Sequence, residues 1–453
     1  MAISQTLRPY QAQVGRAVLD SVLHRRGLLF TVEMARQGGK NELSAQLELL
    51  LMTMNMASGG SLVKAAPTFM PQAQISLRRL RDRLDDAGFG GFWRAEAGHI
   101  LHLMRAQQLF FSAEPSANVL GATASILLEM DEAQDVDREK FAKEFRPMAA
   151  SANATTVLYG TPWNGHTLLE ELAQENLELE RKDGVQRHFS FDWRAVAACN
   201  PRYREYVEGE RARLGDEHPL FRTQYRLLPV AGSDGMFNAA QRAQLQGDHP
   251  RQRVPTPGVS YVAAIDVGGE PWGSGQAANP DRDSTVLTIG ELDFSAEGPE
   301  PRIRVIQHYR WTGEPQHTLT PSLVDLLRNV WRCRRVVVDA TGLGAGVASF
   351  LGKALGSIVE PFVFTSPSKS RLGFELLAAV NTGRLKAYAA DGSPEHQAFW
   401  SEVDLAQVRY RPNQTMDFSV DAAQGHDDFL MSLALLVKAG EYLPRTARGR
   451  VGE

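Results

Sequence analysis

Over residues 1 to about 230, short apolar runs alternate with helical patterns, and no other feature of the chain limits its fold so strongly. Residues 28–33, 61–66, 126–130 and 156–159 read as buried strands. Segments such as 41–56 and 72–86 separate them and repeat apolar residues at helical spacing. Buried strands alternating with helices predict an α/β unit whose mostly parallel sheet is covered on both faces. Residues 100–104 and 108–112 read as a hairpin insertion.

Turn chemistry takes over at 231–257, where Gly232 to Gly235, His249-Pro250 and Pro255-Thr256-Pro257 predict a linker. The chain of 453 residues suits two domains of about 200 residues each, placed at 1–230 and 258–445. The second opens with three successive strands, 261–267, 285–292 and 302–311, expected to form an antiparallel meander. A helix near 317–332, a strand at 335–339, a further helix and strand, and an amphipathic helix from about His426 follow. The polar tail 446–453 is expected to be disordered.

Cys199 and Cys333 are the only two cysteines and have no metal-ligand spacing, which argues against a disulfide framework or a structural zinc site. No apolar stretch approaches the roughly 20 residues of a membrane span, so a soluble, unexported protein is expected. The net charge of −4 is not that of a uniformly basic nucleic-acid binder. Local patches rather than totals bind phosphate, however, and a site that gathers carboxylates around metal ions lowers the net charge.

Two constellations carry chemistry. Ala35, Arg36, Gln37, Gly38, Gly39, Lys40 and Asn41 follow a predicted strand and open a predicted helix. That is the setting of a phosphate-binding loop: Gly38 and Gly39 free the backbone N–H groups, the helix N-terminus adds its dipole, and Lys40 reaches the β/γ-phosphates. The pattern lacks its upstream glycine, and Asn41 stands where a hydroxyl ordinarily meets Mg²⁺; taken alone, the segment also reads as a Gly-rich turn with a surface lysine. The strand at 126–130 ends in Asp131-Glu132, two carboxylates at the sheet edge where α/β folds bind ligands. There an aspartate can hold Mg²⁺ and a glutamate can polarise the attacking water. Gln11, in Arg8-Pro9-Tyr10-Gln11, is a candidate reader of adenine, and Thr161, in Gly160-Thr161-Pro162, a candidate sensor of the γ-phosphate; each alone is also an ordinary helix start or turn.

The second constellation is a set of aspartates at element ends. Asp266 ends one strand, Asp283 begins the next, Asp339 ends a run of valines, and Asp427 and Asp428 open the last helix. Carboxylates that converge need cations, and Mg²⁺ or Mn²⁺ suit oxygen ligands. Two such ions can clamp the attacking and leaving oxygens of a phosphodiester. The β-β-β-α-β order, with acids on the first and fourth strands and a late helix, is that of RNase H-like nucleases with a mixed sheet. Either Asp427 or Asp428 also reads as a helix cap.

In the order of these motifs, with Ala66-Pro67-Thr68 and Gln72-Ala73 between them and Gly425-His426-Asp427-Asp428 at the end, the chain resembles the large terminase subunits of tailed bacteriophages from Leu7 to about Lys438. The resemblance implies an N-terminal RecA-like P-loop ATPase of the additional-strand (ASCE) type and a C-terminal RNase H-like nuclease. It implies ATP with one Mg²⁺ at the motor and two Mg²⁺ or Mn²⁺ at the nuclease. Matched residue by residue, Lys40 contacts phosphate with Arg36, Gln37, Gly38, Gly39 and Asn41 around it, Asp131 serves Mg²⁺, and Glu132 is the catalytic base. Gln11 matches the adenine reader and Thr161 the coupling motif. Asp266, Asp339 and one or both of Asp427 and Asp428 match the nuclease ligands, with Asp283 as an accessory acid. Many relatives carry an arginine that acts in trans shortly before the acidic strand; residues 118–121 hold none. Double-stranded DNA, a portal protein, a small subunit and a ring of copies, expected to be a pentamer, are the implied partners, in the host cytoplasm. A helicase-nuclease built from the same halves and a non-catalytic assembly factor are the competing readings; strand displacement marks the first, and absence of both activities the second.

Overall fold

The computed structural model describes residues 7–119, 121–230, 235–268, 283–294 and 300–441. The tail expected to be disordered and residues 231–234 of the expected linker lie outside them. The chain divides into two compact units, Met1–Arg211 with Pro219–Ala231, and Ala212–His218 with Gly232–Glu453. Among the described residues no helix is long and apolar enough to cross a membrane.

Among the described residues the first unit holds eight strands: β1 (Leu29–Met34), β2 (Gly60–Ala66), β3 (Trp93–Glu96), β4 (Ile100–Leu103), β5 (Ala106–Ser112), β6 (Leu127–Met130), β7 (Thr155–Gly160) and β8 (His188–Phe191). They lie in the order β3-β4-β5-β2-β6-β7-β1-β8. From β5 to β8 every neighbouring pair is parallel, so the carboxyl ends of β1, β2, β6 and β7 share one edge. The hairpin expected as an insertion is part of this sheet. Its second strand, β5, pairs in parallel with β2 from Gly60↔Ala106 to Ala66↔Ser112, and β4 and β3 extend the edge antiparallel. The alternating burial of β5 is that of a strand covered on one face.

Beneath the helix Lys40–Asn55 the sheet buries charge. Lys64 on β2 is 2% exposed, and Glu48 and Glu129 are 0% exposed. Lys64 Nζ donates to Ser44 Oγ at 2.6 Å and lies 3.5 Å from Glu48 Oε1, while Ser44 Oγ donates to Glu129 Oε1 at 2.8 Å. Burial opposes the lysine's charge, but Glu48, Glu129 and Asp131 outweigh it and raise its pKa. Burial pushes Glu48 well above the usual carboxylate range. One ammonium thus holds two carboxyl groups that would otherwise repel in a dry space.

The second unit carries β9 (Ser260–Asp266), β10 (Ser284–Asp293), β11 (Arg302–Thr312), β12 (Arg335–Asp339), β13 (Val359–Phe362) and β14 (Leu385–Lys386), in the order β13-β12-β9-β10-β11-β14. β9, β10 and β11 form the antiparallel meander that the sequence predicts, and β12 runs parallel to β9. A separate hairpin joins β15 (Gln407–Tyr410) to β16 (Met416–Ser419). Tyr261, Ala263 and Ile265 share a core with Leu323, Trp331, Val347 and Leu351 on one face of the sheet. Val262 and Ala264 share the other with Phe399, Leu430 and Leu433. Asp266 keeps the parity of Val262 and Ala264 and so belongs to the face covered by the last helix, Asp428–Ala439.

Within the stretch expected as linker, Ala239–Leu245 is a helix, capped by Asn238 and Gln241. Met236, Phe237 and Leu245 pack into the second unit's core. The Gly and Pro residues on either side conceal that short apolar period.

Replacing Lys64 with methionine removes the ammonium and strands Glu48 and Glu129; a loss of about 3–5 kcal/mol is expected. Chemical denaturation of the full chain checks this, and a midpoint equal to that of the unmodified protein would count against the cluster's structural role.

Candidate functional site

The loop between β1 and the helix Lys40–Asn55 is shaped by its glycines. Gly39 is left-handed at φ 96°, and a Cβ on Gly38 would come within 2.7 Å of the Ala35 carbonyl oxygen. Gln37 also has positive φ, at 60°. The first N–H groups of the helix behind the loop have no intrahelical acceptor and point outward from its positive end. The segment 8–11 braces the loop from beneath. Tyr10 donates its hydroxyl to the Gly38 carbonyl at 2.6 Å, and Gln11 Nε2 donates to the Gly39 carbonyl at 2.9 Å. Gln11 Oε1 accepts the Arg8 N–H at 2.8 Å. The Gln11 amide is therefore engaged at both ends with backbone, which makes it a loop support in this state. Arg36 is exposed, and its guanidinium donates to Gln224 Oε1 at 2.7 Å. Asn41 lies half-buried in the first turn of the helix.

Opposite the loop, β6 delivers Asp131 and Glu132. Lys40 Nζ lies 3.1 Å from Glu132 Oε1 and donates to Oε2 at 3.2 Å, so the lysine of the loop and the glutamate of the strand end neutralise one another. Glu132 has left-handed backbone, φ 45° and ψ 50°. That conformation is uncommon for a residue with a side chain. Burial would raise the Glu132 carboxyl, but Lys40 and a hydrogen bond from Gln134 hold it below the usual range. Asp131 goes the other way: burial raises it, against the pull of Lys64.

Gln134 gave no sequence signal beyond its nearness to Glu132. Its Nε2 donates to Glu132 Oε2 at 2.8 Å, and its Oε1 accepts the Thr161 N–H at 3.2 Å. Gly160 is what admits it, since a Cβ there would sit 2.1 Å from Gln134 Oε1. One buried amide thus links the acidic end of β6 to the Gly160-Thr161 end of β7. Lys40, Asp131, Glu132 and Thr161 converge on the same sheet edge.

The second unit brings its aspartates together in the same way. β12 pairs with β9 so that Val338 lies beside Ile265, and Asp339 and Asp266 end adjacent strands. Asp428, in the first turn of the last helix, accepts the Ser284 N–H at 2.8 Å. Asp427 is that helix's N-cap residue without a side-chain capping bond, so the cap reading does not describe it. Asp283 Oδ1 and His426 Nδ1 are 2.9 Å apart. Burial first, then Asp428, Asp339, Asp427 and Glu402, drive the Asp266 carboxyl well above its ordinary range. Burial raises Asp339 and Asp427 too, and pushes Asp428 to about 6. Glu402, on the helix Pro394–Leu405, is pushed to about 9 by burial although it accepts the Leu430 N–H at 2.9 Å. Such mutual repulsion is relieved by protons or by a multivalent cation.

Asp283, His426 and Asp428 offer one ligand atom each within 4.8 Å of one another. Two carboxylates and an imidazole suit Mn²⁺ or Mg²⁺ more than a soft metal. His426 and Glu402 are the residues that sequence reasoning missed here. His426 stood next to Asp427 in a motif already singled out, whereas Glu402 lies in the middle of a helix with no motif around it.

No protein-family model matches the chain, and no curated protein matches it in sequence. Solved structures do match. The large terminase of a thermophilic bacteriophage superposes with a TM-score of 0.56 at 12% identity, covering 96% of this chain and 99% of that one. The same protein in complex with ADP gives 0.54 at 13% identity over 95% and 99%, and with ATP-γ-S 0.52 at 12% over 96% and 99%. The chain therefore has the α/β fold of a large terminase along nearly its whole length.

Replacing Gln134 with leucine leaves a Glu132 oxygen and the Thr161 N–H without their partner. A loss of about 1–3 kcal/mol is expected, read by chemical denaturation; a change below about 0.5 kcal/mol, the range of neutral surface substitutions, would show that the amide link is not made.

Proposed function

We propose that the chain is the large subunit of a tailed-phage terminase, which hydrolyses ATP to move double-stranded DNA into a procapsid and cuts that DNA with a metal-dependent nuclease. The observation that carries this reading is the occurrence, in one chain of large-terminase fold, of the Lys40–Glu132 pair at one sheet edge and the Asp266 cluster at another. The thermophilic-phage terminase was solved with ADP and with ATP-γ-S, which supports a nucleotide at the loop of residues 35–41.

In the motor half, Lys40 is held by Glu132 in this state. An arriving triphosphate competes for the ammonium, and its capture of Lys40 frees the Glu132 carboxylate to take a proton from the attacking water. Asp131 would hold Mg²⁺, with Asn41 beside the phosphates. Gln134 carries any displacement of Glu132 to the Thr161 N–H, which gives the γ-phosphate a path to the end of β7. Arg36 and Gln37 flank the loop, and Gln11 supports it before any role toward adenine.

In the nuclease half, Asp266, Asp339, Asp427 and Asp428, with Asp283 and His426, form the donor set for divalent ions. Bound there, the ions would supply activation of the attacking water and charge neutralisation of the leaving oxygen. Glu402 holds the N-terminus of the last helix in place through the Leu430 N–H and thereby fixes Asp428. A portal protein, a small subunit and a ring of copies acting in the host cytoplasm complete the proposed setting.

Two substitutions separate the halves. Glu132→Gln is expected to lower ATP turnover by about 10²-fold or more and to leave Mn²⁺-dependent plasmid cleavage intact. Asp266→Asn is expected to abolish that cleavage and leave ATP turnover intact. Wild-type turnover by Glu132→Gln would sink the base assignment, and undiminished cutting by Asp266→Asn would remove the nuclease assignment.

A further inference from the structure

A cavity of about 160 Å³ opens beside the nuclease acids, lined by Arg310, Ser401, Glu402, Gln424, His426 and Asp428. Arg310 is the cation of this lining. On β11 it lies opposite Val286 of β10, and Val286 lies opposite Asp266 of β9. Directly paired residues project to the same face of a sheet, so Asp266, Val286 and Arg310 form a row. Two interstrand spacings put Arg310 on the order of 10 Å from Asp266 along that row. The helix Pro394–Leu405, which contributes Ser401 and Glu402, covers the same face.

Several arginines of the unit are engaged by carboxylates, and Arg310, the arginine of this lining, is not. Arg304, on the same strand, pairs with Glu291. Arg251 pairs with Glu395 at 3.1 Å, Arg335 with Glu360 at 2.5 Å and Arg384 with Glu300 at 2.5 Å. Among the described residues the Arg310 guanidinium has no ion pair and no hydrogen bond, although carboxylates line the same cavity. It is also exposed, so its guanidinium is accessible from solvent.

The acid cluster repels a polyanion. Metal ions relieve that at the bond being cut, but the neighbouring phosphates of the same strand still meet Asp283 and Asp427. An unpaired guanidinium lining this cavity offers a phosphodiester a two-pronged donor, and Ser401 and Gln424 line the cavity too. The geometry points to this cavity as a seat for a backbone phosphate of the DNA strand being cut, flanking the scissile one and held by Arg310. The inference rests on the nuclease reading above and adds to it a substrate-positioning cation that is not a metal ligand.

The test is steady-state cleavage of linear duplex DNA by the full chain with Mn²⁺, at several KCl concentrations, for wild type, Arg310→Gln and Arg310→Lys. Arg310→Gln is expected to lose about tenfold in kcat/KM, chiefly through KM. The slope of log kcat/KM against log[KCl] should flatten by about 0.9, one phosphate contact. Arg310→Lys should keep most of the slope. Stabilisation of Arg310→Gln by Mn²⁺ in a melting experiment should equal that of wild type, which separates phosphate binding from damage to the metal site. If wild type cuts and Arg310→Gln cuts with unchanged KM and salt slope, the phosphate seat is overturned and the nuclease reading stands. Loss of Mn²⁺ stabilisation in Arg310→Gln would also overturn it, by placing Arg310 in the support of the metal site. If wild type itself does not cut, the nuclease reading fails and the seat with it.

Discussion

Carboxylates gathered at the carboxyl edge of a sheet repel one another, and both units are arranged around how that repulsion is relieved. In the first unit lysines supply part of that relief, although burial still raises Glu48 and Asp131. Lys40 neutralises Glu132, and Lys64 holds Glu48 and Glu129 in the dry space beneath the loop helix. In the second unit burial raises Asp266, Asp339, Asp427 and Asp428, neighbouring acids add to it at Asp266, Asp427 and Asp428, and no lysine or arginine among the described residues pairs with any of the four. The first arrangement suits a substrate that arrives carrying negative charge and displaces a carboxylate from an ammonium. The second suits a cation that arrives and stays.

Parallel pairing explains why the edge recurs. A parallel strand buried on both faces ends with its last side chains free of the ladder, and the next residue is the first that can turn toward a ligand. Asp131 and Glu132 follow β6, the loop of residues 35–39 follows β1, and Thr161 follows β7. In the second unit the parallel neighbours β9 and β12 end in Asp266 and Asp339. The antiparallel β10 and β11 instead bring in residues at the start of one strand and the end of the other, Ser284 and Arg310.

The sequence made the strands and these edge residues readable because apolar runs and the acids that stop them are local signals. What it left out is what depends on tertiary neighbours. The hairpin at residues 100–112 reads the same whether it is inserted or joins the sheet; only its pairing with β2 decides that. The helix Ala239–Leu245 is too short for a period to stand out between Gly and Pro residues. Glu402 lies in mid-helix, and nothing local separates it from a solvated glutamate until the packing against Leu430 is known. Gln134 and Tyr10 are likewise ordinary residues whose partners, Thr161 and Gly38, are distant in sequence.

The claim that both halves work by charge relief, one with its own lysine and one with borrowed cations, is tested most directly by anomalous diffraction from crystals soaked in Mn²⁺ without nucleotide. The account predicts manganese peaks among Asp266, Asp283, Asp339, Asp427, Asp428 and His426, with Lys40 still paired to Glu132. Crystals in which those residues diffract well but hold no manganese, or in which Lys40 and Glu132 stand apart without a phosphate between them, would contradict it.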